Sequence, residues 1–394
     1  MPTAATNPSR TRVLHMLGSP ASDYYAQLST MYARGCVGSN EASCADEFEF
    51  VYAVVHPDGP SFSFPSNLEP ATMEAATKYS RAEGVAQLAL LNADICQSHM
   101  FCHEGVSTYR AILDLLDIPF VGGSVAAMSL TEHKGRSRAV LQSAGVPVAE
   151  GEILRRGDRP TIPFPLILKP ASEDNSMGLS VVRSAEEVDA ALETAFEFDE
   201  EVVCERFIPP GREIRFAVLE DEHGAPTITL PAVEYFMSEA APVRTSNDKL
   251  ERSSDGKLTF AAPARKCPAD VDDALRAKLS DAVCKAHLAL GCRDYSLYDF
   301  RIDNDGEIYM LEASLFCCFA PNSVIAMMAD ASGDASLKHQ ALFKTLLRRA
   351  AERKVERAAP GAVQAFGSKP KTKRAKTAAG ADASAAASTA AATA

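Results

Sequence analysis

An α/β domain followed by α+β lobes is the architecture the chain predicts, on three observations. Its 394 residues exceed what one hydrophobic core usually serves, so two or three lobes are expected. Over the first ~125 residues, apolar strand-like runs alternate with helices of 3.6-residue apolar spacing. Beyond them, helices mix with strand signals joined by turn residues, the pattern of antiparallel hairpins.

The elements follow in order. "TRVLHMLG" reads as a buried strand closed by a turn, and "FEFVYAVV" as a second strand. "GVAQLALLNADICQSHMF" is a helix end leading into a third, and "VSTYRAILDLLDIPFVGGS" a helix stopped by the strand-like "IPFVGG". "MSLTEHKGRSRAVLQSAGVPVAEGEIL" gives helix, Gly-Val-Pro break and short strand. "FPLILKPASEDNSMGLSVV" is strand, polar loop, strand, and "SAEEVDAALETAFEF" a helix opened by a Ser-x-x-Glu capping box. "EVVCERFI", "REIRFAVLED" and "PTITLPAVEYF" read as strands, and "ADVDDALRAKLSDAVCKAHLALG" as a long amphipathic helix. From about Ala358 the chain has nothing large to bury, which predicts a disordered Ala-rich tail. Its basic patch "KPKTKRAK" fits a solubilising tail, with nuclear targeting or an acidic partner also open.

Composition narrows the function classes. With 46% hydrophobic and 23% charged residues, the chain reads as an ordinary soluble globular protein. A net charge of −12 argues against an extended nucleic-acid-binding face. No apolar run approaches the ~20 residues of a membrane span. The N-terminus lacks the apolar core of a secretory signal but is acid-free, so a plastid transit peptide stays open beside a cytoplasmic location. The ten cysteines are scattered and lie mostly inside apolar segments, the usage of buried reduced thiols. Adjacent Cys317 and Cys318 lack metal-ligand spacing and a nearby cation, and read as packing.

Two segments carry chemistry. In "YDFRIDNDGEIYMLEAS", "DNDG" is a tight-turn sequence. A two-residue turn pairs Asp299 with Met310 and Leu297 with Glu312, so the two carboxylates become diagonal neighbours on one sheet face. With no cation nearby in sequence they repel, unless an oxygen-loving ion such as Mg²⁺ sits between them. Ser314 points to the same side; separate surface charges are the alternative. In "LILKPASEDNSMG", Lys169 ends a buried strand, and the loop offers Ser172, Asn175, Ser176 and Gly178 to a phosphate. Lys134 is a second cation near a helix. Glu205 and Glu213 bracket a proline-rich connection that could serve a base and a ribose, or be an ordinary interlobe linker.

Taken in order, these motifs resemble the ATP-grasp superfamily, and within it the D-alanine–D-alanine ligases, from about residue 85 to 347. The resemblance implies an ATP-grasp fold: an N-terminal α/β domain over 10–125, a central lobe over 126–205, a C-terminal lobe over 206–350, and a tail over 351–394. It also implies an ATP-dependent carboxylate–amine ligase working through an acyl phosphate, with an amino acid and a carboxylate donor as small-molecule substrates. A homodimer is compatible with it. ATP contacts fall on Lys134, Lys169, Ser176, Glu205, Arg206, Phe207, Ile208 and Glu213. Asp299, Glu312 and Ser314 would hold Mg²⁺, which Mn²⁺ could replace. Ser176 and Lys249 are the implied catalytic residues, and Asn175 and Ser323 the substrate contacts.

Departures from that pattern are specific. The ligases carry an arginine where Leu297 stands and an asparagine where Ser314 stands. Their Asn-x-x-Pro-Gly-Met turn is "SLFCCFA" here, and Asn175 replaces a serine. These changes leave two further readings open: a ligase with another donor, such as mycosporine-glycine, and a nucleotide-binding protein that no longer ligates.

Overall fold

The computed structural model describes residues 10–59, 61–173, 176–209, 211–236, 243, 250–252, 258–260 and 264–358. Lys249, Asn175 and the basic patch at 369–376 lie outside them. The first sheet comprises β1 (Thr11–Gly18), β2 (Phe48–His56), β3 (Ser61–Ser63), β4 (Lys78–Tyr79) and β5 (Ile95–Ser98), in the order β4-β3-β2-β1-β5. β1 lies between β2 and β5, parallel to both, and its last six residues are buried, as its near-continuous apolar run requires. The antiparallel strands β3 and β4 are three and two residues long, too short for a sequence period to reveal. "IPFVGG" makes only a single bridge, Phe120 to Cys96. α1 (Asp23–Cys44), α2 (Pro70–Ala75), α3 (Arg81–Leu90), α4 (His103–Val106) and α5 (Thr108–Leu115) complete this part.

Next come α6 (Val125–Glu132) and α7 (Lys134–Ser143), broken at His133, whose ring accepts from Arg136 N to cap α7. A four-stranded antiparallel sheet follows: β6 (Gly151–Leu154), β7 (Leu166–Pro170), β8 (Ser180–Val182) and β9 (Val202–Arg206), ordered β6-β9-β7-β8, with α8 (Val188–Phe196) against it. Side chains alternate along β7. Leu166 and Leu168 join the core beneath α8, while Ile167 and Lys169 face an open cleft. The capping box expected at Ser184 does not form. Glu187 instead accepts from Arg183 N, and the first turn is a short 3₁₀ helix without a side-chain cap. A reciprocal box does cap α3, at Ser80 and Glu83.

The third sheet contains β10 (Arg212–Leu219), β11 (Ile228–Thr229), β12 (Val233–Tyr235), β15 (Arg265–Lys266), β16 (Tyr295–Ile302) and β17 (Ile308–Ser314). Its main path is β15-β12-β10-β16-β17; β13 (Leu250–Arg252) and β14 (Leu258–Phe260) form a separate hairpin. "PTITLPAVEYF" is two short strands rather than one, interrupted around Pro231, which has no N–H for a ladder. α9 (Asp273–Ala289) covers one face of the sheet, burying Ile214, Phe216, Val218, Tyr298, Phe300 and Ile302. The alternate residues Glu213, Arg215, Asp299 and Arg301 are on the opposite face.

α10 (Val324–Ala331) and α11 (His339–Ala358) close the chain. α11 runs eight residues past the expected boundary at 350 because its last turns are anchored. Arg353 donates to both carboxylate oxygens of Asp294 at 2.8 and 3.0 Å, and Lys354 pairs with Asp94 at 2.9 Å. Asp294 is 1% exposed and also accepts from Gly122 N at 2.7 Å. Burial alone would raise its pKa, but Arg353 and Arg293 hold it below the usual carboxylate value. Among the described residues, no helix is long and apolar enough to cross a membrane. All ten cysteines are free thiols, and Cys317 and Cys318 are buried.

Because Asp294 joins the first sheet's 120–122 segment, the start of β16 and α11, its loss removes the carboxylate partner of the partly buried Arg353, which keeps only its bond to Phe120 O. Asp294→Ala is expected to lower unfolding stability by ~3–5 kcal/mol; a loss below ~1 kcal/mol in urea denaturation would refute that role.

Candidate functional site

One open cleft gathers most of the residues singled out in the sequence. Lys134, Lys169, Ser176, Glu205, Arg206, Phe207, Ile208, Glu213, Asp299 and Glu312 all line it. Ser314 and Ser323 do not. Ser314 lies on the cleft side of β17 opposite Leu297, and Ser323 is buried at the N-cap of α10.

On one wall the cations are fixed by backbone. Lys134 opens α7, its amide donating to Ala171 O at 2.8 Å, so the lysine is pinned to the end of β7. Its Nζ donates to Glu173 O at 2.5 Å, and Tyr25 Oη donates to the Glu173 carboxylate at 3.0 Å. Lys169 pairs with Glu205 at 2.8 Å, both mostly buried. Ser176 has φ +60°, in the left-handed region, and lines the cleft. In the 205–208 connection, Arg206 N and Phe207 N donate to Glu150 O and Pro165 O, and Ile208 O accepts from Arg301.

The opposite wall corrects the expected register. The hairpin turn carries three residues, 304–306, with Gly306 at φ +78°, and Ile302 pairs with Ile308. One extra turn residue alone would rotate Glu312 to the α9 face. A bulge between Asp299 and Phe300 adds a second, with Leu311 as the extra residue, and restores it. Met310 and Ala313 consequently both face α9, though three positions apart. Asp299 is directly opposite Glu312 rather than diagonal to it.

Neither carboxylate lacks a cation nearby, contrary to the reading from "YDFRIDNDGEIYMLEAS" alone. Arg215, opposite Asp299 on β10, donates from Nε and Nη2 to the two Asp299 oxygens. Burial works against the charged guanidinium, but Asp299, with Tyr235 and Glu312 behind it, holds its pKa well above the usual value. One step along the ladder, Arg301 donates to Glu213 at 2.9 Å. Sequence reasoning missed Arg215 and Arg301. Period-2 spacing in "REIRF" and "YDFRI" places each on the face of its neighbouring carboxylate, the one signal that could have found them.

A divalent ion fits the chemistry of this wall, because Glu312 and Ser314 offer only oxygen. A second ligand-capable group does not fit one. His15, Cys36 and His99 bring ligand atoms within 4.8 Å of one another, but His15 Nδ1 and His99 Nε2 already share a hydrogen bond of 2.9 Å. The remaining nitrogen of each ring has no partner, so metal binding would strand two buried N–H groups. Burial lowers the His15 pKa to about 3 and pushes His99 down as well, which makes them a neutral packing pair.

Antiparallel sheets enclosing a cleft, with lysines on one wall and carboxylates on the other, define an ATP-grasp fold. The chain belongs to the D-alanine–D-alanine ligase family: the family described as "D-ala D-ala ligase C-terminus" matches residues 140–348. Over 227 residues it is 32% identical to the D-alanine–D-alanine ligase of Geobacter sulfurreducens, covering 56% of this chain and 66% of that protein. The matched part therefore spans just under two thirds of that relative. Among solved structures, the D-alanine–D-alanine ligase of Bacillus anthracis superposes with a TM-score of 0.67 at 19% identity, covering 88% of this chain and 99% of that one. The VanG D-Ala:D-Ser ligase of Enterococcus faecalis gives 0.69 at 20% identity, covering 86% and 99%.

Glu201 fixes the cation wall from behind, binding His133 at 2.7 Å and Arg155 at 2.5 Å. The hydrogen bonds from His133 and Arg155 lower its pKa from 4.5 to about 2. A depressed carboxylate stabilises the fold above its unfolded pKa, and that contribution disappears as pH falls from about 4.5 to 2. Glu201→Gln is expected to flatten the dependence of stability on pH across this window in denaturant titrations; an unchanged slope would remove Glu201 from the acid response.

Proposed function

We propose that the chain is an ATP-dependent carboxylate–amine ligase of the D-alanine–D-alanine ligase type. It joins the carboxylate of one amino acid to the amine of a second, with ADP and phosphate as products. One observation carries the reading: Lys134, Lys169, Ser176, the 205–208 connection, Glu213, Asp299 and Glu312 meet around a single cleft although they span nearly half the chain.

In this reading Lys134 and Lys169 bind the phosphates, and the Ser176 turn closes over them with its hydroxyl and amides. Lys169 is released from Glu205 as the nucleotide enters, and Glu213 receives the ribose hydroxyls. Asp299 and Glu312, with Ser314 beside them, would hold Mg²⁺, which when bound spreads the charge of the transferring phosphoryl group. The donor carboxylate oxygen attacks the γ-phosphorus and ADP leaves. The acceptor amine then adds to the acyl carbon, loses a proton and expels phosphate. Closure of the cleft excludes water that would otherwise hydrolyse the acyl phosphate. Lys249 would serve catalysis, Asn175 would orient the donor, and Ser323 would receive the acceptor carboxylate.

Calorimetry is expected to detect magnesium-dependent ATP binding, and an ADP-release screen over D- and L-amino acids to give turnover with a D-amino acid pair. Glu312→Ala should lower turnover by at least ~100-fold, because it removes charge stabilisation from the transition state, while leaving the melting temperature close to that of the parent. ATP affinity that ignores magnesium, or full turnover in that variant, would sink the proposal.

A further inference from the structure

Between Ser314, the last residue of β17, and Ser323, the N-cap of α10, the chain passes through Phe319. Phe319 has φ +52°, a left-handed conformation that a bulky aromatic residue rarely adopts. Such a conformation persists only where the surroundings over-determine it, and it marks functional sites more often than others. Three contacts hold this one. The Phe319 ring is fully buried, meeting Tyr295 edge-on and Phe343 at a tilt, with centroids 5.4 Å apart in each case. Its carbonyl accepts from His339 Nε2 at 2.6 Å, at the start of α11, and from Asn40 Nδ2 at 3.1 Å, on α1. The next residue, Ala320, lies so close to α1 that a Cβ on Gly35 would come within 2.8 Å of its own. Both donors are buried, and neither lines the cleft. The carbonyl of one strained residue thus knots α1 and α11 to the connection that leads from Glu312 to Ser323.

We propose that His339 and Asn40 are positioning residues for the acceptor: by locking Phe319 they fix where Ser323 stands relative to the phosphate end. This rests on the reading of the cleft as a ligase site with Ser323 at the acceptor carboxylate. Formation of the acyl phosphate uses the opposite wall, so it does not need the lock. Attack by an amino acid does, because an acceptor held off-line loses its near-attack geometry. Hydroxylamine carries no carboxylate and bypasses Ser323. Its nitrogen adds to the acyl carbon, loses a proton and expels phosphate, leaving a hydroxamate.

The test compares hydroxamate formation with amino-acid ligation in the full chain, using the amino acid of highest turnover in the ADP-release screen as donor and acceptor. His339→Leu and Asn40→Ala are each expected to lower ligation by more than ~10-fold, through a raised acceptor KM. Hydroxamate formation and the KM for ATP should change by less than ~2-fold in both. His339→Gln, whose amide nitrogen replaces the Nε2 donor, should return ligation to within ~3-fold of the parent. Thermal melting checks that each variant is folded, and the two clamp residues, on different helices, give independent readings. Equal loss of hydroxamate and ligation in folded variants would overturn the proposal, as would parental ligation in His339→Leu and Asn40→Ala. If the parent chain releases no ADP with any amino acid and forms no hydroxamate, the ligase reading itself fails and this inference with it.

Discussion

Asp299 is held from both sides by the ladder, and that register decides which charges meet at the cleft. β16 is buried along its whole length, yet it carries Asp299 and Arg301 among apolar residues. Alternation sends Tyr298, Phe300 and Ile302 under α9 and the two charged side chains to the other face. A slip of β16 by one residue against β10 would drive Asp299 and Arg301 into the α9 core and part them from Arg215 and Glu213. Burying a charge without its partner is worth several kcal/mol against the fold. Charge pairing and core packing thus select the same register, and neither would be satisfied by its neighbour.

The same logic ties the cleft to the rest of the molecule. Asp294 enters β16 at its N-terminal end and binds the 120–122 segment and α11. Lys134 is pinned through its backbone to the end of β7 and through its side chain to Glu173, which Tyr25 of α1 also reaches. The long chain therefore returns to the cleft from several directions by hydrogen bonds rather than by one hinge.

Much of the candidate site was legible before folding because each residue interrupts a local pattern. Lys169 ends an apolar strand, Glu312 follows "IYML", and "DNDG" announces a turn. What stayed hidden depends on partners distant in sequence. Arg215 lies 84 positions from Asp299, and no local period says that β10 will pair with β16 rather than another strand. The bulge at Leu311 was invisible for a similar reason, since its cause is the need to return Glu312 to one face after a turn one residue longer than the simplest. The failed capping box at Ser184 shows the limit of motif reading: Glu187 found Arg183 N first. α11 passed its expected end because Asp294 and Asp94 wait in space for Arg353 and Lys354, which composition could not disclose.

The turn at 304–306 and the bulge at Leu311 are two single-residue additions on one hairpin, and only their sum is tolerated. Either addition alone inverts β17 beyond it; together they leave the facing unchanged. A one-residue deletion in the turn is viable only alongside a second in the strand, so the hairpin can shorten in steps of two but not of one.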